Sequence, residues 1–134
     1  MRLPWQPPDL IAAQPFWDAA ARGVLSVPWC PVCEAPVLYP RDFCPRCHAT
    51  DLSWRDLSGR GSVYSYAVET RALPGCDLEP PFVIALVDLD EGGRLPTNVL
   101  ASPDSVEIGM AVEVVFAEID DGRHVPRFRP AFDA

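Results

Sequence analysis

The sequence contains no lysine, although it is 134 residues long and carries 11 basic residues, all of them arginine. The absence of lysine excludes mechanisms that depend on it, including Schiff-base aldol chemistry and phosphate binding by a Walker-type loop. Acidic residues number 19, so the formal net charge is −8. This charge disfavours nucleic acid as a partner, because a strongly acidic surface repels a polyanion.

Long hydrophobic runs are also missing. No stretch approaches the ~18 apolar residues that a membrane-spanning helix needs, and the N-terminus lacks the basic-then-apolar pattern of a secretion signal. We therefore expect no membrane partner and a cytoplasmic location. Histidine is scarce as well, with His48 and His124 the only two. Because the sequence offers no plausible Ser/His/Asp set, it predicts a chain that is not catalytic on its own.

Proline and glycine are abundant instead, with 16 Pro and 8 Gly. This composition leaves little room for long helices, because proline breaks a helix interior. The charge is uneven along the chain: residues 1–60 carry six Arg and six acidic residues, whereas residues 61–134 carry five Arg and thirteen acidic residues. The shift near residue 60 indicates two structural units.

Four of the five cysteines form two C-x-x-C knuckles, Cys30 with Cys33 and Cys44 with Cys47, separated by ten residues. Two such knuckles place four thiolates around one zinc ion, as in a zinc ribbon. A rubredoxin-like iron site is one alternative, and a pair of disulfides is another, disfavoured without a secretion signal. Since four cysteines close the coordination shell, the sequence predicts one structural zinc rather than a catalytic one.

Three further residues could carry chemistry. Cys76 stands alone in a turn-rich acidic segment with no histidine nearby in the sequence, and we expect it to be a spectator. His48 directly follows the last knuckle cysteine and is expected to face solvent. His124 could pair with Asp120 or Asp121 as a general base, but a histidine beside a turn is expected to be structural.

A short helix is predicted from Pro15 to Gly23, with proline at its first position and glycine past its end. Phe16 and Trp17 give it an apolar face that we expect to be too large for a two-turn helix to bury by itself. Aromatic side chains commonly anchor protein interfaces. Phe16, Trp17 and Trp29 are therefore the predicted partner-binding residues, with packing inside this chain as the alternative.

From residue 61 the hydrophobic period changes to two, which is typical of β-strands. Phe82–Val87 is expected to be a central strand buried on both faces, and Pro126 to confine the last strand to an edge or a strand end. Turns are predicted at Glu91–Gly93 and Asp120–Gly122. Five strands in about 70 residues fit a small OB-type barrel better than a sandwich of about seven. The strand segments are 61–70, 81–90, 94–101, 112–119 and 123–130.

Several motifs occur in the order found in a known family. The paired knuckles are followed by Ser58–Gly61, by the Phe82–Asp88 strand and by a closing Pro126–Pro130 segment. Together with the short PFW helix, these resemble the domain-of-unknown-function 35 family over residues 15–131. The resemblance implies a mainly β chain with three parts: an N-terminal arm and short helix (1–25), a rubredoxin-like zinc ribbon (26–58) and a five-stranded OB-fold barrel (59–134).

The same resemblance implies an accessory role. Members of this family accompany thiolase-like acyl-CoA enzymes that form or cleave carbon–carbon bonds, such as thiolases, acyltransferases and the retro-aldolases of steroid side-chain degradation. The catalytic residues then lie in the partner, so we expect a non-catalytic subunit of a two-plus-two heterotetramer, with acyl-CoA as a ligand shared with the partner.

Two other functions stay open at the level of sequence. A stand-alone acyl-CoA-binding protein could use Arg127 and Arg129, which lie two apart on one strand, as ligands for coenzyme A phosphates. Pairing of these arginines with carboxylates on neighbouring strands is the alternative. A single-stranded nucleic-acid-binding OB-fold could stack bases on Tyr64, Tyr66 and Phe128, but the net charge of −8 argues against it.

Overall fold

The computed structural model describes residues 11–72, 74, 76–119 and 122–131. Within them the chain is mainly β, as predicted, with one α-helix. A 3-10 turn at Ile11–Ala13 precedes this helix, and a second 3-10 turn at Pro103–Ser105 lies between two strands. No helix in these ranges has the length and hydrophobicity needed to cross a membrane. The elements are α1 (Gln14–Ala21), β1 (Ser26–Cys30), β2 (Ala35–Pro36), β3 (Ser53–Asp56), β4 (Arg60–Glu69), β5 (Phe82–Leu89), β6 (Arg94–Val99), β7 (Ala111–Glu118) and β8 (His124–Pro130).

Helix α1 packs its apolar face against strands β1 and β8 of its own chain. Phe16 is only 6% exposed and belongs to the main hydrophobic core. The expectation that the helix cannot bury its aromatic face is therefore wrong for Phe16, because two strands distant in sequence cover it. Trp17 is half-buried and stands edge-on to Phe16, with ring centroids 4.9 Å apart.

The zinc-ribbon region is a three-stranded antiparallel sheet in the order β2-β1-β3. Its central strand β1 pairs Trp29 with Pro36 on one side and Ser26 with Asp56 on the other. All four residues of β3 are exposed, whereas β1 is buried almost throughout. The ribbon therefore presents one side to solvent and packs the other, through β1, onto the rest of the chain.

The remaining strands form a closed barrel in the order β4-β5-β6-β8-β7. Antiparallel pairing of β4 with β7 closes the cylinder, and β6 meets β8 in parallel at the pair Val99 and Phe128. Phe128 is fully buried at the centre of the core. This five-stranded arrangement confirms the predicted OB-fold.

Strand β5 is buried on one face rather than two. Val83, Ala85 and Val87 are at most 2% exposed, whereas Ile84 between them is 43% exposed. The expectation for Phe82–Val87 is therefore wrong, because a closed barrel gives each strand an inside and an outside. Ile84 is thus an apolar residue on the outer face of the barrel.

Pro126 also departs from the prediction, since it lies inside β8 opposite Phe116 of β7. It lacks an N–H, but its carbonyl accepts a hydrogen bond of 3.0 Å from the Thr97 hydroxyl. Proline is tolerated here because the ladder between β6 and β8 is short. Of the two predicted turns, Glu91–Gly93 is present, whereas Asp120 and Asp121 lie outside the described residues.

The ribbon and the barrel meet at the turn between β5 and β6. The Glu91 carboxylate accepts a 2.7 Å hydrogen bond from the backbone N–H of Ser58, the last residue of the ribbon region. Gly93 in the same turn lies against Leu38 and Pro36 of the ribbon, so closely that a Cβ there would fall 2.9 Å from the Leu38 Cδ1 atom. These contacts position the two parts relative to each other.

Candidate metal centre and apolar groove

The four knuckle cysteines converge on one point. Their Sγ atoms all lie within 4.8 Å of one another, with Cys30 and Cys47 3.5 Å apart and Cys33 and Cys44 3.8 Å apart. Four sulfur atoms each about 2.3 Å from a tetrahedral zinc ion are separated by about 3.8 Å. All five cysteines of the chain are free. The donor set and its spacing therefore fit zinc, and the disulfide alternative is not realised.

Each knuckle is shaped by its own backbone. The Cys33 N–H donates to the Cys30 sulfur at 3.4 Å, and the His48 N–H donates to the Cys44 carbonyl at 2.8 Å. Glu34 and His48 follow the two knuckles with positive φ angles of 51° and 65°, which reverse the chain after the second cysteine. The His48 side chain is exposed, as predicted.

The electrostatics of the cluster favour a bound cation. Backbone N–H groups of Cys47 and Arg46 lower the pKa of Cys44 to about 6, which stabilises the thiolate that zinc binds. The pKa of Cys33 is instead raised to about 12, chiefly by its hydrogen bond with the Cys47 side chain and then by burial. Four crowded sulfur atoms become anionic together only around a cation, since like charges oppose one another's ionisation.

The two candidate phosphate-binding arginines are both occupied by carboxylates. Arg127 is buried and makes two hydrogen bonds to Asp77, of 2.7 and 2.8 Å. Arg129 donates to Glu113 of β7 at 2.9 Å. The alternative of pairing with neighbouring carboxylates is thus realised, although Asp77 comes from the loop before β5 rather than from a strand. The hydrogen bonds from Arg127 lower the pKa of Asp77.

A groove with a volume of about 810 Å³ opens where helix, ribbon and barrel meet, and we call it the apolar groove. Trp17 and Leu38 lie on one side, and Ile84 lies among the barrel residues that line it. The outward-facing Ile84 is therefore not a stray surface residue but part of a concave apolar wall. Sequence reasoning missed this groove, and its one visible signal was an apolar run in β5 with no polar alternation.

The other candidate residues from the sequence lie in different parts of the structure. Trp29 is half-buried, with the Arg55 guanidinium 4.3 Å from its ring centroid, and it lies outside the groove lining. Cys76 is half-buried and lines the apolar groove. The His124 Nε2 atom lies 3.6 Å from a Glu118 carboxylate oxygen; its suggested partners Asp120 and Asp121 are outside the described residues.

Known proteins resemble this chain over both of its parts. The family model of the ChsH2 rubredoxin-like zinc ribbon domain matches residues 17–53, and that of the ChsH2 C-terminal OB-fold domain matches residues 54–117. A DUF35 domain-containing scaffold protein of Methanocaldococcus jannaschii is 37% identical over 99 residues, which are 69% of this chain and 70% of the relative.

One further relative is named as an enzyme subunit, and one similar solved structure is named as an aldolase. A probable enoyl-CoA hydratase alpha subunit of Thermomonospora curvata is 40% identical over 118 residues, or 87% of this chain; the chain spans 37% of the length of that relative. A solved chain of the Ltp2-ChsH2(DUF35) aldolase superposes with a TM-score of 0.84 at 36% identity, covering 95% of this chain and 100% of that chain.

Proposed function

This chain belongs to the DUF35 family, and we propose that it is a non-catalytic accessory subunit that binds and completes a thiolase-fold acyl-CoA enzyme. In this proposal two copies assemble with two partner subunits in the cytoplasm. The complex forms or cleaves a carbon–carbon bond of an acyl-CoA thioester, as a thiolase, an acyltransferase or a steroid side-chain retro-aldolase does. The catalytic residues belong to the partner.

The observation that carries the proposal is the extent of one structural likeness. The Ltp2-ChsH2(DUF35) aldolase chain is matched over 100% of its length with a TM-score of 0.84. At 36% identity the likeness covers the helix, the ribbon and the barrel together rather than one widespread fold. Because function does not follow from an OB-fold alone, this joint likeness supports a shared way of working with a partner enzyme.

The side-chain chemistry supports a catalytic centre outside this chain. Within the described ranges, neither histidine is hydrogen-bonded to a serine or cysteine side chain: the His48 side chain is exposed, and His124 lies near Glu118. Cys76 has no histidine partner there either. An acyl-transfer or aldol site needs a nucleophile or base held in place by a second group, which the partner would provide.

The proposed zinc has a mechanical role. Cys30, Cys33, Cys44 and Cys47 would hold it, and when bound it supplies four metal–thiolate bonds that join the two knuckles. The chain itself orients the ligands, because backbone N–H groups donate to the sulfur atoms of Cys30 and Cys44. A rigid ribbon can then present side chains to a partner without a large ordering cost on binding.

The proposed docking surface lies on the ribbon side. Trp17 and Trp29 remain proposed partner-binding residues, but Phe16 does not, because it is buried in the core. Two apolar side chains of the ribbon are open to solvent, Val32 at 67% and Phe43 at 44% exposure. Exposed aromatic and aliphatic side chains on a rigid element are suitable anchors for an interface.

The nucleic-acid alternative loses one of its three stacking residues in the folded chain, although Tyr66 stays 37% exposed. Phe128 is fully buried, and the Tyr64 ring is covered by the Arg94 guanidinium 3.4 Å from its centroid. A stand-alone role in binding coenzyme A loses Arg127, whose side chain is only 9% exposed and already paired. Arg129 is also paired, with Glu113, but its side chain is 59% exposed. It therefore remains the proposed contact for a phosphate of the acyl-CoA shared with the partner.

Co-expression with a thiolase-fold enzyme of the same host tests the proposal. We expect one peak in size-exclusion chromatography with the mass of two plus two subunits, and acyl-CoA turnover by the complex but not by this chain alone. Val32→Asp with Phe43→Asp should weaken the complex at least tenfold. Ile108→Asp, on an exposed barrel residue, is the matched control.

Two results would contradict the proposal. One is that the chain elutes separately, without forming a complex, when it is co-expressed with each thiolase-fold enzyme of its host. The other is acyl-CoA turnover by the isolated chain that disappears in His124→Ala or Cys76→Ala.

A further inference from the structure

The apolar groove has the dimensions of a small-molecule site. Its volume of about 810 Å³ lies in the range of about 300–1,000 Å³ in which proteins bind drug-sized molecules. It runs along the seam between β6 and β8, and α1, residues 38–40 and the loop at 76–78 contribute its remaining walls. We propose that it binds an uncharged, apolar small molecule that carries a neutral oxygen atom, such as a ketone, an ester or an amide.

The walls are apolar where a barrel surface is normally polar. The outer faces of barrel strands usually carry polar side chains when water covers them. Here Ile84 lies on the outer face of β5 at 43% exposure, and Leu78 and Leu95 join it in the lining. In a chain with a net charge of −8, such a concave apolar wall favours a ligand that itself buries apolar surface.

The electrostatics exclude a charged ligand. Among the described residues that line the groove, the only charged side chain is Arg127. Two hydrogen bonds to Asp77, of 2.7 and 2.8 Å, already neutralise it. A phosphate or carboxylate would have to displace Asp77 and lose its hydration against apolar walls, which is costly for a charge without a partner. The class of ligand is therefore uncharged.

Two buried N–H groups without a hydrogen-bond acceptor indicate that the ligand carries an oxygen atom. Trp17 Nε1 and Arg127 Nε are buried and have no hydrogen-bond acceptor among the described residues. Buried N–H groups are normally hydrogen-bonded, and these two side chains come from different elements but line the same groove. An oxygen atom of a bound molecule would supply an acceptor that the described residues lack.

Titration of the purified full chain with Nile red, an uncharged dye with a carbonyl oxygen, tests the site directly. We expect saturable binding with a rise in dye emission. Dodecan-2-one should displace the dye at a concentration at least tenfold lower than dodecanoate, which has the same chain length but carries a charge. Trp17→Phe keeps an aromatic ring and removes one N–H, so it should weaken dodecan-2-one binding about threefold, as expected for one neutral hydrogen bond.

A matched pair of variants locates the binding. Ile84→Asp places a charge in the groove wall and should weaken Nile red at least tenfold, whereas Ile108→Asp, 71% exposed and outside the groove lining, should change it less than twofold. Unchanged circular dichroism and zinc content would show that both variants fold.

The proposal is overturned by the absence of saturable binding to the wild-type chain, which would leave the groove as a surface for protein contacts. Equal effects of the two variants, or equal displacement by ketone and carboxylate, would also overturn it. None of these results bears on the partner enzyme, which is tested separately.

Discussion

The ribbon and the barrel are stabilised in different ways. The ribbon's own buried cluster consists of Cys30, Val37 and Cys44, with a few partly buried neighbours. The main cluster, in contrast, contains aliphatic residues from several barrel strands around the fully buried Phe128. Segments of about 40 residues or fewer rarely bury enough apolar surface to fold alone. We therefore expect the ribbon to depend on its metal and the barrel on hydrophobic burial, within one chain.

Strand β1 shows that the two parts are nonetheless coupled. Val27 belongs to the main cluster, whereas Cys30, three residues later, belongs to the ribbon cluster. Leu25 just before the strand is also in the main cluster. The start of the ribbon should therefore remain anchored to the main core even if the knuckles are lost.

Removal of one knuckle should have the largest effect. In Cys44→Ser with Cys47→Ser we expect zinc content to fall from about one equivalent to less than half. The loss of metal removes on the order of 10 kcal/mol of binding free energy from the ribbon. Amide hydrogen exchange should become fast in residues 30–50 while the barrel strands stay protected.

Cys76→Ser is the control for this experiment, because Cys76 lies outside the sulfur cluster and its variant should keep full zinc. Retention of a full equivalent of zinc by the double variant would contradict the assignment of the metal centre. Loss of protection throughout the barrel would instead contradict its independence from the metal.

A cavity in the barrel should give the converse result. Phe128→Ala removes a fully buried ring, and such truncations lower the free energy of unfolding by about 3–5 kcal/mol. Urea denaturation of the zinc-loaded protein measures the loss, and zinc content under native conditions should not change. Ile108→Ala, at a residue 71% exposed, should cost less than about 0.5 kcal/mol. Similar losses in both variants would show that Phe128 is not central to the core.

The features that sequence reasoning predicted correctly are those determined by nearby residues. The knuckle geometry depends on contacts within a few positions, such as the Cys33 N–H with the Cys30 sulfur. The alternation of apolar residues places the strands, and five strands in a short segment indicate the barrel. The turn at Glu91–Gly93 follows from its glycines.

The features that it missed depend on contacts between distant residues. Phe16 is buried because β8, more than 100 residues later, lies beside α1. Asp77 and Arg127 are 50 positions apart, and no local pattern connects them. The outer face of β5 looks like part of a buried strand in the sequence, because an apolar run does not distinguish a core from a groove wall.

The contact between ribbon and barrel should have an intermediate effect. Gly93 and Gly122 both have positive φ angles, of 83° and 87°, so an alanine is strained at either position. A Cβ at Gly93 would also lie 3.2 Å from the Pro36 Cγ atom, whereas at Gly122 it meets nothing within 4 Å. We expect Gly122→Ala to lower the free energy of unfolding by about 1 kcal/mol and Gly93→Ala by about 2 kcal/mol. Equal losses of unfolding free energy in the two variants, measured by urea denaturation, would show that the contact between ribbon and barrel adjusts to the added Cβ without a loss of stability.

The smallest effect should come from the ion pair beside the groove. Arg127 lowers the pKa of Asp77 below its ordinary value of 3.8, chiefly through hydrogen bonding. Because the pKa is lower in the folded state, the stabilisation is complete well above pH 3.8 and is lost as the pH falls through the folded-state value. The Asp77 side chain is 46% exposed, so solvent screening limits the contribution to less than about 1 kcal/mol. We therefore expect the urea midpoint of wild type to fall slightly more than that of Asp77→Asn between pH 5 and pH 3. Comparison of the two proteins removes the effect of zinc loss at low pH, which they share, and parallel pH profiles would show that the pair contributes nothing to the barrel.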